Sequence, residues 1–201
     1  MSPGSPTATG RHRHIRDVVL LWLAWVVILS AFQFWVTRRI NLIKTDSVLA
    51  WTASDMSPDF LAGKLYLTDP FLNEHAAWDS EYYLSIAMAG YNDPEIRGVP
   101  AGLSGNRYQV ICMTATDPDC ISLNYAFFPL YPKLMRIMAA VMAWLPINPV
   151  ARFTLAGVLI SLLGTLAAML ALNRMTDDRD GLRTASYLIF FPSSMFLTQV
   201  Y

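Results

Sequence analysis

Four long apolar stretches, over residues 17–36, 125–145, 153–172 and 184–201, limit what this chain can become, because water leaves few ways to cover that much hydrocarbon. The first holds a predominantly apolar run of about nineteen residues, Val18 to Val36, roughly 28 Å as a helix, which is close to the thickness of a bilayer core. Composition agrees: 54% of residues are hydrophobic and only 15% are charged, where about a quarter of an average soluble domain is charged. Fifteen cations balance fifteen anions, and no basic stripe alternates with aromatics, so a nucleic-acid partner is excluded. The expected fold class is all-α, with multi-pass transmembrane helices and a large extracytoplasmic first loop of amphipathic helices.

Residues 1–16 read as a disordered, basic cytoplasmic tail: the first ten are small and polar, and Arg11, His12, Arg13, His14 and Arg16 precede the first span. A cleaved signal peptide is the competing reading, but the apolar run is too long and lacks an Ala-x-Ala-like site. Residues 37–124 form the one sizeable polar segment. With the basic tail in the cytoplasm this loop faces the other side, although Arg38, Arg39 and Lys44 beyond the first span oppose that charge asymmetry. Its apolar residues Trp51, Phe60, Leu61, Leu65, Tyr66, Phe71 and Leu72 are spaced for short helices at a membrane surface. Cys112 and Cys120 flank the turn-forming Thr116-Asp117-Pro118-Asp119; they suit either a small disulfide loop in an oxidising compartment or two free thiols. The final apolar stretch runs to Tyr201 without a polar or aromatic flank, as expected for part of a longer chain.

Three clumps carry candidate chemistry. The first is Trp78-Asp79-Ser80-Glu81-Tyr82-Tyr83 running to Gly90-Tyr91. Asp79 and Ser80 are helix-capping types and Gly90 is a natural stop, so Asp79 is expected at the tip of a short helix. There the helix dipole favours a carboxylate that can accept a proton or hold a cation; a plain cap is the simpler alternative. Trp78, Tyr82 and Tyr83 fit a sugar-binding surface or an interfacial aromatic belt. The second clump, residues 124–132, reads Asn-Tyr-Ala-Phe-Phe-Pro-Leu-Tyr-Pro and is followed by Lys133 and Arg136. Its prolines free backbone groups, which suits a pocket mouth, and the two cations one turn apart suit either an anionic phosphate or snorkelling to the interface. The third, residues 190–201, contains Pro192, Ser193, Ser194, Thr198 and Gln199; ordinary helix packing accounts for these polar groups as well as a site does.

Taken together the clumps resemble the GPI mannosyltransferase 2 (PIG-V-like) family of GT-C membrane glycosyltransferases. The residues that carry the resemblance are Trp78, Asp79, Glu81, Ile86, Ala87, Gly90 and Tyr91; then Asn124, Ala126, Phe127, Phe128 and Pro129; then Pro192, Ser193, Phe196 and Tyr201. The matching region runs from Ala77 to the end of the sequence, with residues 92–123 as an insertion. The family's Tyr-Ser/Thr-Glu element stops here at Tyr201, so the resemblance is to the N-terminal portion of such an enzyme.

The resemblance implies a GT-C-like fold and an inverting mannosyltransferase that uses a polyprenyl- or dolichyl-phosphate-mannose donor and a glycan or glycolipid acceptor. It implies a bacterial plasma membrane or endoplasmic reticulum membrane. Asp79 becomes the catalytic acid/base residue, assisted by Glu81. Substrate contacts are expected from Trp78, Tyr82, Tyr83, Asn124, Phe128 and Pro129, and our own assignment adds Lys133 and Arg136 at the donor phosphate. No metal motif is visible, which leaves the cofactor unknown and a divalent cation at Asp79 open. Another lipid-linked sugar, or a non-catalytic membrane subunit, are the alternatives. Simple alternation of four spans sets Tyr201 on the side of the membrane opposite Asp79.

Overall fold

The computed structural model describes residues 8–39, 71, 75–76, 79–93, 98–100, 120–176, 180–191, 194, 197–198 and 200. They form helices α1 (Ala8–Arg39), α2 (Ser80–Met88), α3 (Leu130–Val141), α4 (Pro149–Met175) and α5 (Gly181–Phe190). Between α2 and α3 lie two short antiparallel strands, β1 (Gly98–Pro100) and β2 (Cys120–Ser122), in the register Val99 opposite Ile121. The all-α expectation thus holds for most described residues and misses this small ribbon. The Cys112–Cys120 pairing and the surface helices expected around Trp51, Phe60, Leu61, Leu65 and Tyr66 lie outside the described residues.

The chain divides into two compact units, Met1–Ile43 with Ser161–Gln199, and Lys44–Ile160 with Val200–Tyr201. In the first unit α1 begins at Ala8, within the segment expected to be a tail, and its apolar part is Ile15–Val36. Val18, Leu21, Trp22, Trp25 and Leu29 recur at helical spacing and pack with Met169 of α4 and Ala185 and Ile189 of α5. On other sides of α1, Leu20, Leu23, Val27, Ile28, Phe32, Phe34 and Trp35 are exposed. That is costly in water and neutral in a lipid core, where tails are as apolar as the side chains they touch. Polar groups are answered locally: the Trp22 indole N–H donates to the Leu162 carbonyl at 3.2 Å, and Gln33 Nε2 donates to Thr198 Oγ1 at 3.1 Å. At the ends Arg16 pairs with Asp17 at 3.0 Å, and the Arg38 guanidinium lies 4.0 Å from the Phe34 ring centre.

Helix α4 spans 27 residues, about 40 Å, and with Ile15–Val36 gives two helices long and apolar enough to cross a membrane. Its start is specified locally, because Asn148 Oδ1 accepts a hydrogen bond from Val150 N at 2.8 Å and Pro149 needs no donor at that position. Buried Thr154 and Thr165 donate to carbonyls four residues back, at 2.9 and 2.8 Å, so neither leaves a bare hydroxyl in an apolar setting.

Among the described residues, the other two expected spans are not continuous helices. Residues 125–145 yield a 3-10 turn (Leu123–Ala126), an extended Phe127, and only then α3, whose twelve residues reach about 18 Å. Pro129 occupies the N-cap, and Pro132 is tolerated because the first-turn N–H groups have no helical partner. Residues 184–201 are interrupted at Phe191, which is extended with ψ 135 because it precedes Pro192. Val200 then makes a parallel bridge with Ala76 in the second unit. The corrected count is two helices of spanning length among the described residues, with α3 and α5 too short.

In the second unit α2 packs on α3, and Ala139 and Met142 of the α3 region meet Ala156 of α4. Helix α2 ends at Gly90, whose φ of 99 lies in the left-handed region where a Cβ is strained. A Cβ there would touch nothing within 4 Å, so backbone strain is the whole cost of adding one. Gly90→Ala is therefore expected to destabilise the second unit by about 1–2 kcal/mol. Thermal unfolding in detergent checks this, and an unchanged melting temperature would rule out the left-handed stop.

Candidate active site

Helix α2 starts because Asp79 and Ser80 are poor continuers and good initiators. The Asp79 carbonyl accepts hydrogen bonds from Tyr82 N at 3.1 Å and Tyr83 N at 3.3 Å, which fixes the first turn. Its side chain makes no capping hydrogen bond and is exposed. The simpler reading of Asp79 as a side-chain cap is thereby corrected. The cause is backbone geometry: φ −79 and ψ −1 are helical values, whereas a side-chain cap needs an extended N-cap residue.

Next to Asp79 the chain's last described residue returns. Val200 N donates to the His75 carbonyl at 3.0 Å, and the buried Ser80 hydroxyl donates to the Val200 carbonyl. Gly157 makes room, since a Cβ there would stand 2.9 Å from Val200 Cγ2. The end of the third clump therefore adjoins the first, contrary to the alternation of four spans, because the helix that would have carried it away stops before Pro192.

The second clump supplies an aromatic wall. Tyr82 stacks on Phe127 with centroids 4.9 Å apart, and Tyr83 meets Phe127 and Tyr131 edge-on, each at 5.1 Å. The wall is held by hydroxyls: Tyr131 donates to the Gly157 carbonyl and Tyr91 to the Phe127 carbonyl, both at 3.0 Å. Burial, then the nearby Asp79 charge, then Tyr91 raise the Tyr83 pKa above its ordinary 10.0. Tyr83 and Asp79 are thus electrostatic neighbours.

Other expected site residues have different duties. Asn124 is fully buried; its Nδ2 donates to Ser85 Oγ at 2.8 Å and the Gly90 carbonyl at 3.3 Å, while Ser85 donates to Asp93 at 2.7 Å. It braces the turn after α2 and has no exposed atom with which to meet a substrate. Arg136, expected at a phosphate, donates from Nε to the Ala87 carbonyl at 2.8 Å and from Nη2 to the Ile86 carbonyl at 2.9 Å. It answers the Ala87 carbonyl, shares the Ile86 carbonyl with Gly90 N, and faces the negative dipole end of α2. Lys133, Phe128 and Pro129 are exposed, Phe128 to 84%. Trp78 and the Glu81 side chain lie outside the described residues. No group of three His, Cys, Asp or Glu suited to a metal occurs among the described residues.

Phe127, Tyr131, Gly157 and Val200 were not anticipated as site-forming. Phe127 and Phe128 are identical in type and adjacent, and only the extended Phe127 backbone decides which ring turns toward Tyr82. A separate open groove of about 490 Å³ in the first unit, between α4 and α5, is lined by apolar residues such as Leu172, Leu188 and Leu197 and holds none of the expected site residues.

Two outcomes test this geometry. In Asp79→Asn, Tyr83 should ionise at lower pH than in the wild type yet still above the ordinary tyrosine range, because burial is the larger cause. The raised pKa stabilises the folded, protonated form below about pH 10, and that contribution is lost as pH rises through the folded value. NMR titration of ring-labelled tyrosine, assigned with Tyr83→Phe, reads it; no movement would separate Asp79 from this ring. Arg136→Met should cost about 1.5–3 kcal/mol in unfolding experiments, as two charge-assisted bonds are lost; a neutral result would deny the clamp.

Compared with protein-family models, with curated proteins and with solved structures, the chain matches none.

Proposed function

We propose that the protein is a membrane glycosyltransferase of GT-C type that transfers mannose from a polyprenyl-phosphate carrier to a glycan or glycolipid acceptor outside the cytoplasm. The observation that carries the reading is the convergence of three separate sequence clumps around one exposed carboxylate: Asp79 and Tyr83 of α2, Phe127 and Tyr131 before and within α3, and Val200 beside Ser80.

In this reading the mannose ring lies against the aromatic wall of Tyr82, Tyr83 and Phe127. Asp79 takes the proton from the acceptor hydroxyl as its oxygen attacks the anomeric carbon. The bond from that carbon to the carrier phosphate breaks, its electrons leave with the polyprenyl phosphate, and configuration inverts. Among the described residues of the second clump, exposed Lys133 is the cation left for the leaving phosphate, Arg136 being engaged at the end of α2. Two helices of spanning length agree with a membrane setting for a lipid-linked donor. A second reading, a non-catalytic membrane subunit, draws on Asn124 and Arg136, polar residues of the same clumps that serve structure.

Membranes containing the protein, supplied with labelled polyprenyl-phosphate-mannose and candidate acceptors, should transfer label. Asp79→Asn is expected to lose about 10²–10⁴-fold in kcat, the usual worth of a general base. Equal transfer by both forms removes Asp79 from catalysis, and no wild-type transfer with any donor favours the subunit. A preference for a glucosyl donor would redirect the reading to another sugar.

A further inference from the structure

Helix α3 has two apolar faces, and only one is used inside the protein. Pro132, Met135 and Ala139 are buried, facing α2 and α4. On the other side Leu130, Leu134, Ile137 and Val141 follow one another at spacings of four, three and four residues, the repeat of a helical stripe, and Trp144 continues it. Each of these five is between 40 and 77% exposed, and Phe128 just before the helix is more exposed still. A contiguous uncovered stripe of this kind calls for a partner.

We infer that α3 is a membrane-surface helix, lying in the plane of the bilayer with this stripe sunk among the lipid acyl chains near the headgroups. Four observations select lipid as the occupant. Only seven residues, 142–148, separate α3 from α4, whose length and hydropathy suit a bilayer crossing, so α3 is tethered at the level where a span begins. At about 18 Å it is too short to cross and too apolar on its outer side for water. Residues 123–152 carry no acid, and beside the engaged Arg136 they hold the cations Lys133 and Arg152, which complement anionic headgroups. Trp144 at the end of the stripe is the residue type that favours the interface. This inference requires the membrane setting alone and stands whether or not the protein transfers sugar.

The unmodified full chain, reconstituted in vesicles of phosphatidylcholine and phosphatidylglycerol, can be irradiated with a phospholipid carrying a diazirine near the carbonyl end of its acyl chain. Mass mapping should find adducts at Leu134, Ile137 and Val141, with insertion about 5–10 Å into the boundary. Hydroxyl-radical footprinting from the aqueous side should leave the same residues several-fold less modified than in detergent-free, lipid-depleted protein. Ile137→Glu should reduce the lipid adducts in residues 130–144 several-fold while adducts on α4 persist. Lipid adducts confined to α1 and α4, strong aqueous modification of the stripe in vesicles, or protection from both reagents, which would mean a protein segment covers it, would each overturn the inference.

Discussion

The second unit depends on the contact of Val200 with the segment that leads into α2. Two hydrogen bonds make it, from Val200 N to the His75 carbonyl and from the Ser80 hydroxyl to the Val200 carbonyl. The space for it comes from Gly157, where any larger side chain would collide with Val200. Because Ser80 is the first residue of α2, the same contact sets the start of the helix beneath Asp79. The carboxylate therefore has a fixed support while its own oxygens stay uncommitted to capping.

A different constraint governs the first unit. The segment Ile15–Val36 of its long helix α1 is apolar nearly all round, so covering the stripe of Val18, Leu21, Trp22, Trp25 and Leu29 still leaves Leu20, Val27, Ile28, Phe32 and Trp35 exposed. In lipid the penalty moves from exposed hydrocarbon to unpaired polar atoms. The unit is built accordingly: indole, amide and threonine donors each find an oxygen on a neighbouring segment or one turn back, and the Arg16–Asp17 ion pair sits at the start of the apolar part of α1.

Asn124 and Arg136 show how a residue type that fits a binding site in sequence can serve another purpose. An amide and a guanidinium beside a proline-rich mouth are what a phosphorylated sugar would call for. Both instead satisfy backbone carbonyls where α2 ends, Asn124 at Gly90 and Arg136 at Ile86 and Ala87. A short helix leaves its last carbonyls without partners, and buried ones must be answered by something nearby. That demand is invisible in one dimension, because the donors come from segments more than thirty residues away.

By itself the sequence determined that two segments, within α1 and α4, are long and apolar enough to cross a membrane, that a short helix starts after Asp79, and that Gly90 stops it. These properties follow from local periodicity, capping chemistry and backbone permissiveness, each written within a few residues. Pro129 and Pro192 already mark the helix breaks in residues 125–145 and 184–201, whereas tertiary structure alone decided which phenylalanine of the Phe127-Phe128 pair would meet Tyr82 and Tyr83, and that Val200 would return to Ala76. A proline acts on the residue beside it and is written in the sequence, but where the chain goes after the break depends on long-range hydrogen bonds, which are settled only when distant segments meet.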